Sequence, residues 1–129
     1  MKFVPVLRPI FLAFCIVAGG CATAPQEHYY WGNYEALLLT MYVELGTADP
    51  FTQIEKLSGD IQQAENTGKP VPPGLYAHLG MMYALNGDAS QAEAAFYKER
   101  ELFPESEVFI DGMMARAFAR SEKQNAPAL

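Results

Sequence analysis

The chain has 129 residues, half of them hydrophobic, and a formal net charge of −6 from nine basic and fifteen acidic side chains. That length accommodates one domain with a modest core and leaves no room for two. The acidic balance argues against nucleic acid and anionic headgroups as partners, because binding phosphate needs a basic surface.

The first segment reads as a leader. Lys2 and Arg8 form a short basic region, Ile10 to Ala18 is an unbroken apolar run, and Ala18, Gly19 and Gly20 lead into Cys21. This is the plan of a signal peptide with its cleavage site, over residues 1–20. The apolar run falls well short of the roughly 20 residues that a membrane-spanning helix needs. A cysteine directly after Ala-Gly-Gly resembles the bacterial lipobox, which implies that Cys21 is acylated and becomes the first residue of the mature chain. Ala18 stands where that pattern prefers leucine, so ordinary secretory cleavage is the alternative. With Cys15 lost in the leader and Cys21 lipidated, no thiol is left for a disulfide or a thiolate metal site. Ala22 after the cysteine implies, by the same resemblance, delivery to the outer membrane on the periplasmic side. Two or three acyl chains hold a protein there far more firmly than one. Removing residues 1–20 leaves 109 residues with seven basic and fifteen acidic side chains, a net charge of −8.

Residues 21–28 are expected to form a lipidated tether, since Ala22 to Glu27 are small, polar or proline. A helical domain is expected over 29–121, followed by a flexible tail at 122–129. The first helix should carry Tyr34, Leu37, Leu38, Met41, Tyr42 and Leu45 on one side and stop at Gly46. Asp49 and Pro50 read as a cap and first-turn pair for a second helix with Phe51, Ile54, Leu57, Ile61 and Ala64 inward, ending near Gly68 and Pro70. A proline-rich connector leads to a third helix with Leu75, Tyr76, Leu79, Met82 and Tyr83 on its apolar side. Asn86-Gly87-Asp88 then turns the chain, and Ser90 with Glu93 reads as a capping box. The fourth helix should place Ala92, Ala95, Phe96 and Leu102 inward and end before Pro104. Ser106 is expected to cap a fifth helix with Val108, Phe109, Met113 and Ala117 inward. The fold class is therefore all-α, about five helices, with no segment resembling a strand.

Residues 73–106 resemble a tetratricopeptide repeat. Tyr76, Leu79, Gly80, Tyr83, Ala92, Phe96 and Pro104 fill seven of its eight signature positions, and Glu99 stands where the eighth is usually small. The resemblance implies two packed helices with small residues where they cross and large ones between, and Glu99 should loosen the contact with the next helix. The first hairpin and the last helix lack the pattern and read as a degenerate repeat and a capping helix. Arrays of this kind usually need about three units to bury a continuous core, so a partner or self-association is expected to complete the surface.

Tyr30-Trp31-Gly32-Asn33-Tyr34, Val71-Pro72-Pro73-Gly74-Leu75 with His78-Leu79-Gly80, and Leu102-Phe103-Pro104-Glu105-Ser106 also resemble an uncharacterised family of small bacterial lipoproteins, the domain of unknown function 4810. That resemblance implies an envelope assembly and a lipoprotein partner, including ones like the curli secretion channel, more than it implies a reaction.

Two histidines are too few for a His-based triad or a multi-histidine metal site, and His28 falls in the tether. No cofactor motif is present. Glu99, Glu101, Glu105, Glu107 and Asp111 fit a solvated face and helix starts better than a paired acid and base. For the aromatic cluster Tyr29, Tyr30, Trp31 and Tyr34 two readings compete, a belt at the membrane interface and a plug on the first hairpin, with packing favoured. The function expected is a non-enzymatic adaptor anchored in the outer membrane, with a pilotin-like chaperone of a secretion component as the alternative. By resemblance to such repeats, Tyr76, His78, Met81 and Asn86 are the exposed partner-binding candidates, while Leu79, Gly80, Tyr83, Ala92, Phe96 and Pro104 are structural.

Overall fold

The computed structural model describes residues 27–43 and 49–125, with side chains described as far as residue 119. Cys21, the expected leader at 1–20, the expected tether up to residue 26 and Leu45 lie outside these residues. Five helices follow one another: α1 (Tyr34–Val43), α2 (Pro50–Thr67), α3 (Leu75–Leu85), α4 (Ala89–Leu102) and α5 (Glu107–Asn125). A 3-10 turn at Pro104–Ser106 joins the last two, and no strand occurs among the described residues. The helix α5 continues to Asn125, past the end expected near Ser121.

Local chemistry explains the boundaries. Asp49 caps α2, its carboxylate accepting the Thr52 N–H at 2.9 Å and the Thr52 hydroxyl at 2.8 Å. Pro50 then opens the first turn, where its missing N–H costs nothing. Gly68, in the left-handed conformation, closes the helix by turning its own N–H back onto Glu65 and Lys69 onto Ala64. The start of α4 differs from the expected capping box. The cap is Asp88, which accepts the Gln91 N–H at 3.1 Å, and Ser90 and Glu93 lie inside the helix on its exposed side. Asp88 gains that role because the turn through Gly87 puts its carboxylate over the first free amides. Before α5, Ser106 donates its hydroxyl backward to the Phe103 carbonyl at 2.7 Å, which tightens the 3-10 turn instead of capping the helix.

Each helix packs on its sequence neighbour, and α3 is the centre, lying against α2, α4 and α5. One core joins Tyr34 and Leu37 of α1 to Leu57 and Ala64 of α2, Leu75, Leu79 and Met82 of α3, and Ala95 of α4. A second core joins Ala77, Ala92, Phe96 and Ile110 across α3, α4 and α5. Every fully buried Leu, Met, Phe or Ile here is worth about 1.5–3 kcal/mol of apolar transfer.

Two helices are rotated from their expected faces. In α2 the buried positions are Gln53, Leu57, Asp60 and Ala64, with Ile54 and Ile61 half-buried against the core at the flank of this stripe as expected, while Phe51 is 66% exposed. Two polar residues hold core positions because each finds a partner on another element. In α5 the fully buried residue is Ile110, whereas Val108 is 87% and Phe109 62% exposed. Tyr42 and Leu102, also expected inward, are exposed. Leu102 sits at the last position of α4, past the reach of the facing helix.

Candidate functional site

The N-terminal aromatics are built into the domain. The Asp60 carboxylate accepts the Asn33 backbone N–H at 2.7 Å and its side-chain amide at 2.9 Å, and the Tyr30 N–H donates to the Pro70 carbonyl at 2.9 Å. These bonds tie the segment before α1 to the middle of α2 and to the connector that follows it. Trp31 stacks on Tyr34 with ring centroids 6.3 Å apart, and Tyr29 meets Trp31 edge-on. Tyr34 is buried against Gly74, where a Cβ would sit 2.6 Å from the Tyr34 hydroxyl and the positive φ would strain any other residue. Burial raises the Tyr34 phenol to about 12, and the Glu99 carboxylate adds to the effect. Packing is thus the role of Tyr34, and the aromatic segment positions α1.

Glu99 overturns its expected place on a solvated face. It is 2% exposed, and its two carboxylate oxygens accept the Gly74 N–H at 2.6 Å and the Ala77 N–H at 3.3 Å. The side chain satisfies amides that the first turn of α3 leaves without helical acceptors. Where a small residue would let two helices touch, a carboxylate from α4 joins them instead. Burial pushes the Glu99 acid above its ordinary range, and the backbone N–H groups pull in the opposite direction.

His78 is also corrected: it is 3% exposed rather than a surface residue. Its Nε2 lies 2.7 Å from the Gln53 Oε1 of α2, and desolvation lowers its pKa to about 4, so the ring is neutral at pH 7. The histidine Nδ1 and the glutamine Nε2 make no hydrogen bond to the described residues. The ring of Tyr34 is 6.0 Å away. A neutral imidazole between an amide and a phenol ring, with no hydrogen-bonded carboxylate or nucleophile, has the surroundings of a core histidine. No group of three or more His, Cys, Asp or Glu that could hold a metal occurs among the described residues.

The structure does not bring the four expected partner-face residues together. Tyr76 is half-buried on the side of α3 that faces α4, beside Lys98. Asn86 is exposed at the turn after α3. Met81, five residues after Tyr76, points away from it into a groove bounded by α1, α3 and α5. That groove holds two adjoining cavities that share Met81 and Met113. One, of about 280 Å³, is completed by Ala84, Leu85, Phe96, Arg116 and Ala117. The other, of about 210 Å³, lies between Leu38, Met41 and Tyr42 of α1 and Phe109 of α5, with His78 in its wall.

The groove follows from how its three helices are held. In α3, Ala77, Met81 and Ala84 share a stripe on the side away from Leu75, Leu79 and Met82. Gly80 allows that helix to approach α4 closely, since a Cβ there would lie 2.9 Å from the Phe96 ring and 3.1 Å from the Ala92 carbonyl. Leu79, Ala92 and Phe96 are buried, Tyr83 is half-buried, and Pro104 opens the 3-10 turn. Ile110 anchors α5 in the second core, and Arg100 of α4 binds Glu107 at 2.7 Å and Asp111 at 2.8 Å. Exposed pairs of this kind are worth about 0–1 kcal/mol, so the full burial of Ile110 does more to orient α5 than they do. With Ile110 inward, Phe109, Met113, Arg116 and Ala117 face the groove at helical spacing. The i, i+3, i+4 pattern of Met113, Arg116 and Ala117 carried that signal, although Ile110 was needed to orient it.

No helix among the described residues is long and apolar enough to cross a membrane. The profile of DUF4810, a domain of unknown function, matches residues 28–113, ending at the groove-lining Met113. No curated protein and no solved structure matches the chain.

Proposed function

Because the chain belongs to the DUF4810 family, whose description assigns no activity, we propose from its own geometry that it is a non-enzymatic adaptor that holds part of another envelope protein in the α1–α3–α5 groove. The observation that carries this reading is the pair of adjoining apolar cavities joined by Met81 and Met113. Methionines adapt to irregular partners, and exposed apolar surface of this kind marks interaction sites. The rim adds exposed Tyr42 and Phe109. Both helices flanking α3 on the groove side thus present aromatic rings to solvent.

The close approach of α3 and α4 at Gly80, and the burial of Leu79, Ala92 and Phe96, support a tetratricopeptide-like reading of residues 73–106. On that reading α1, α3 and α5 are the helices that line the concave side. The sequence Ala18-Gly19-Gly20-Cys21 supports a lipid anchor at Cys21, and Ala22 supports the outer membrane, facing the periplasm. A protein held there would meet membrane-bound partners such as other lipoproteins. A non-enzymatic role is favoured because His78, in the groove wall, is committed to Gln53, and the buried Glu99 to the start of α3.

Photo-cross-linking in intact cells tests the proposal. A probe at Met81 of the full-length chain should capture one envelope protein in high yield, whereas a probe at the exposed Glu55 of α2 should not. Equal capture from both positions, or none from Met81, would remove the groove from the function. Labelling with a palmitate analogue, expected to be lost in Cys21→Ala, checks the anchor separately.

A further inference from the structure

The groove is apolar, yet its charge is not neutral. Of the described residues lining its two cavities, Arg116 alone carries a charge, and none is acidic, in a chain with fifteen acidic side chains. The two described carboxylates of α5 are turned elsewhere: Glu107 and Asp111 both bind Arg100 on the α4 side. Lys98 of α4 is likewise paired, with Glu101 at 2.8 Å. Arg116 meets no carboxylate among the described residues, and its guanidinium folds back along α5, with one nitrogen 3.4 Å from where a Cβ on Gly112 would lie. Arg116 is exposed and shares the cavity lining with Met113 and Leu85, so a group entering beside Leu85 meets a cation within the apolar wall.

From this segregation of charge we infer that the groove takes an apolar peptide segment of a partner protein that carries a carboxylate, an acidic side chain or a chain terminus, set to meet Arg116. Apolar side chains fill the cavities on either side of Met81 and Met113, and the carboxylate binds the guanidinium as the segment leaves the Leu85 end. Guanidinium matches carboxylate through two parallel N–H donors, which gives the segment a direction as well as affinity. A second copy of this chain is a poorer occupant, because its net charge of −6 opposes self-association over most of the surface. The inference rests on the groove reading above and adds to it the chemistry of what is bound.

The test uses the full-length chain in intact cells, with the photo-probe at Leu85 and the captured segment mapped by mass spectrometry. The expected segment is apolar with a carboxylate within a few residues of the cross-link. Arg116→Glu should lower capture roughly tenfold and Arg116→Lys far less. Replacing the partner's carboxylate by Arg should restore capture by Arg116→Glu. Arg116 is exposed, and unchanged helicity of each variant confirms that the fold is intact. Capture that falls with Met81→Gln but ignores Arg116→Glu overturns this inference and leaves the groove reading standing. So does a mapped segment without a carboxylate, whereas a cross-link only to a second copy of the chain, or only to phospholipid, overturns this inference and the groove reading together. Capture indifferent to both Met81→Gln and Arg116→Glu overturns the groove reading itself.

Discussion

Glu99 and Gly74, separated by 25 residues, are joined by a 2.6 Å hydrogen bond from the glycine N–H to the glutamate carboxylate inside the domain. This bond, with its companion from Ala77 at 3.3 Å, fixes α4 against the start of α3. Glu99→Ala leaves both amides without a buried acceptor. An expected loss of about 1–3 kcal/mol should appear as a lower urea midpoint with an unchanged slope. A variant as stable as the parent would mean that water replaces the carboxylate at no cost.

The pH dependence of stability separates His78 from Glu99, because their shifts have opposite signs. The folded His78 pKa is depressed to about 4 from 6.5, so its contribution is present above 6.5 and is lost as pH falls toward 4. Between pH 7 and pH 5 that loss is about 2 kcal/mol. Glu99 has a raised folded pKa, so its contribution is present below the ordinary glutamate value of 4.5 and is lost as pH rises through the raised value. Urea unfolding at pH 5 and 7 should therefore show a flatter profile for His78→Gln than for the parent. Equal slopes in the two proteins would place the acid sensitivity elsewhere.

Asp60 and Asn33 give a test with a built-in reporter, since Trp31 is the single tryptophan. Asp60→Ala should release the segment from Tyr30 to Asn33, red-shift the Trp31 emission, and cost about 1–3 kcal/mol. If the emission stays put while stability falls, the aromatic stacking on Tyr34 holds the segment without the carboxylate.

Two helical glycines should respond in opposite directions to the same substitution. Gly59→Ala in α2 meets nothing within 4 Å and should gain up to about 1 kcal/mol from helix propensity. Gly80→Ala drives a methyl to within 2.9 Å of the Phe96 ring, and the overpacking, about 1–3 kcal/mol, should exceed the same propensity gain. Thermal melts of both variants decide the matter, and a stabilised Gly80→Ala would show that Phe96 can yield.

Much of the helical framework was legible from residues close together in the chain. Asp49-Pro50, Gly68 and Pro104 mark ends that the structure keeps, because a cap or a breaker acts within one turn of itself. The stripes of α3, and the inward Ala92, Ala95 and Phe96 of α4, also follow from periodicity. For the groove, Met81 was legible as a surface candidate on α3, but its separation from Tyr76 was not.

The faces of α2 and α5 could not be read that way. Hydrophobic periodicity locates a stripe by its apolar members, so Phe51 drew the expected face of α2 away from Gln53 and Asp60. A polar side chain can occupy a core position only if a partner meets it there, and the partners, His78 and Asn33, lie 25 and 27 residues away. Burial of His78 and Glu99 and the inward turn of Ile110 have the same origin. By itself the sequence determined which stretches are helical and which helices adjoin, since caps, breakers and short connections are local. Only the tertiary structure decided how each helix is rotated about its axis, and hence that Met81, Met113 and Arg116 share one groove, because that rotation depends on partners distant in the chain.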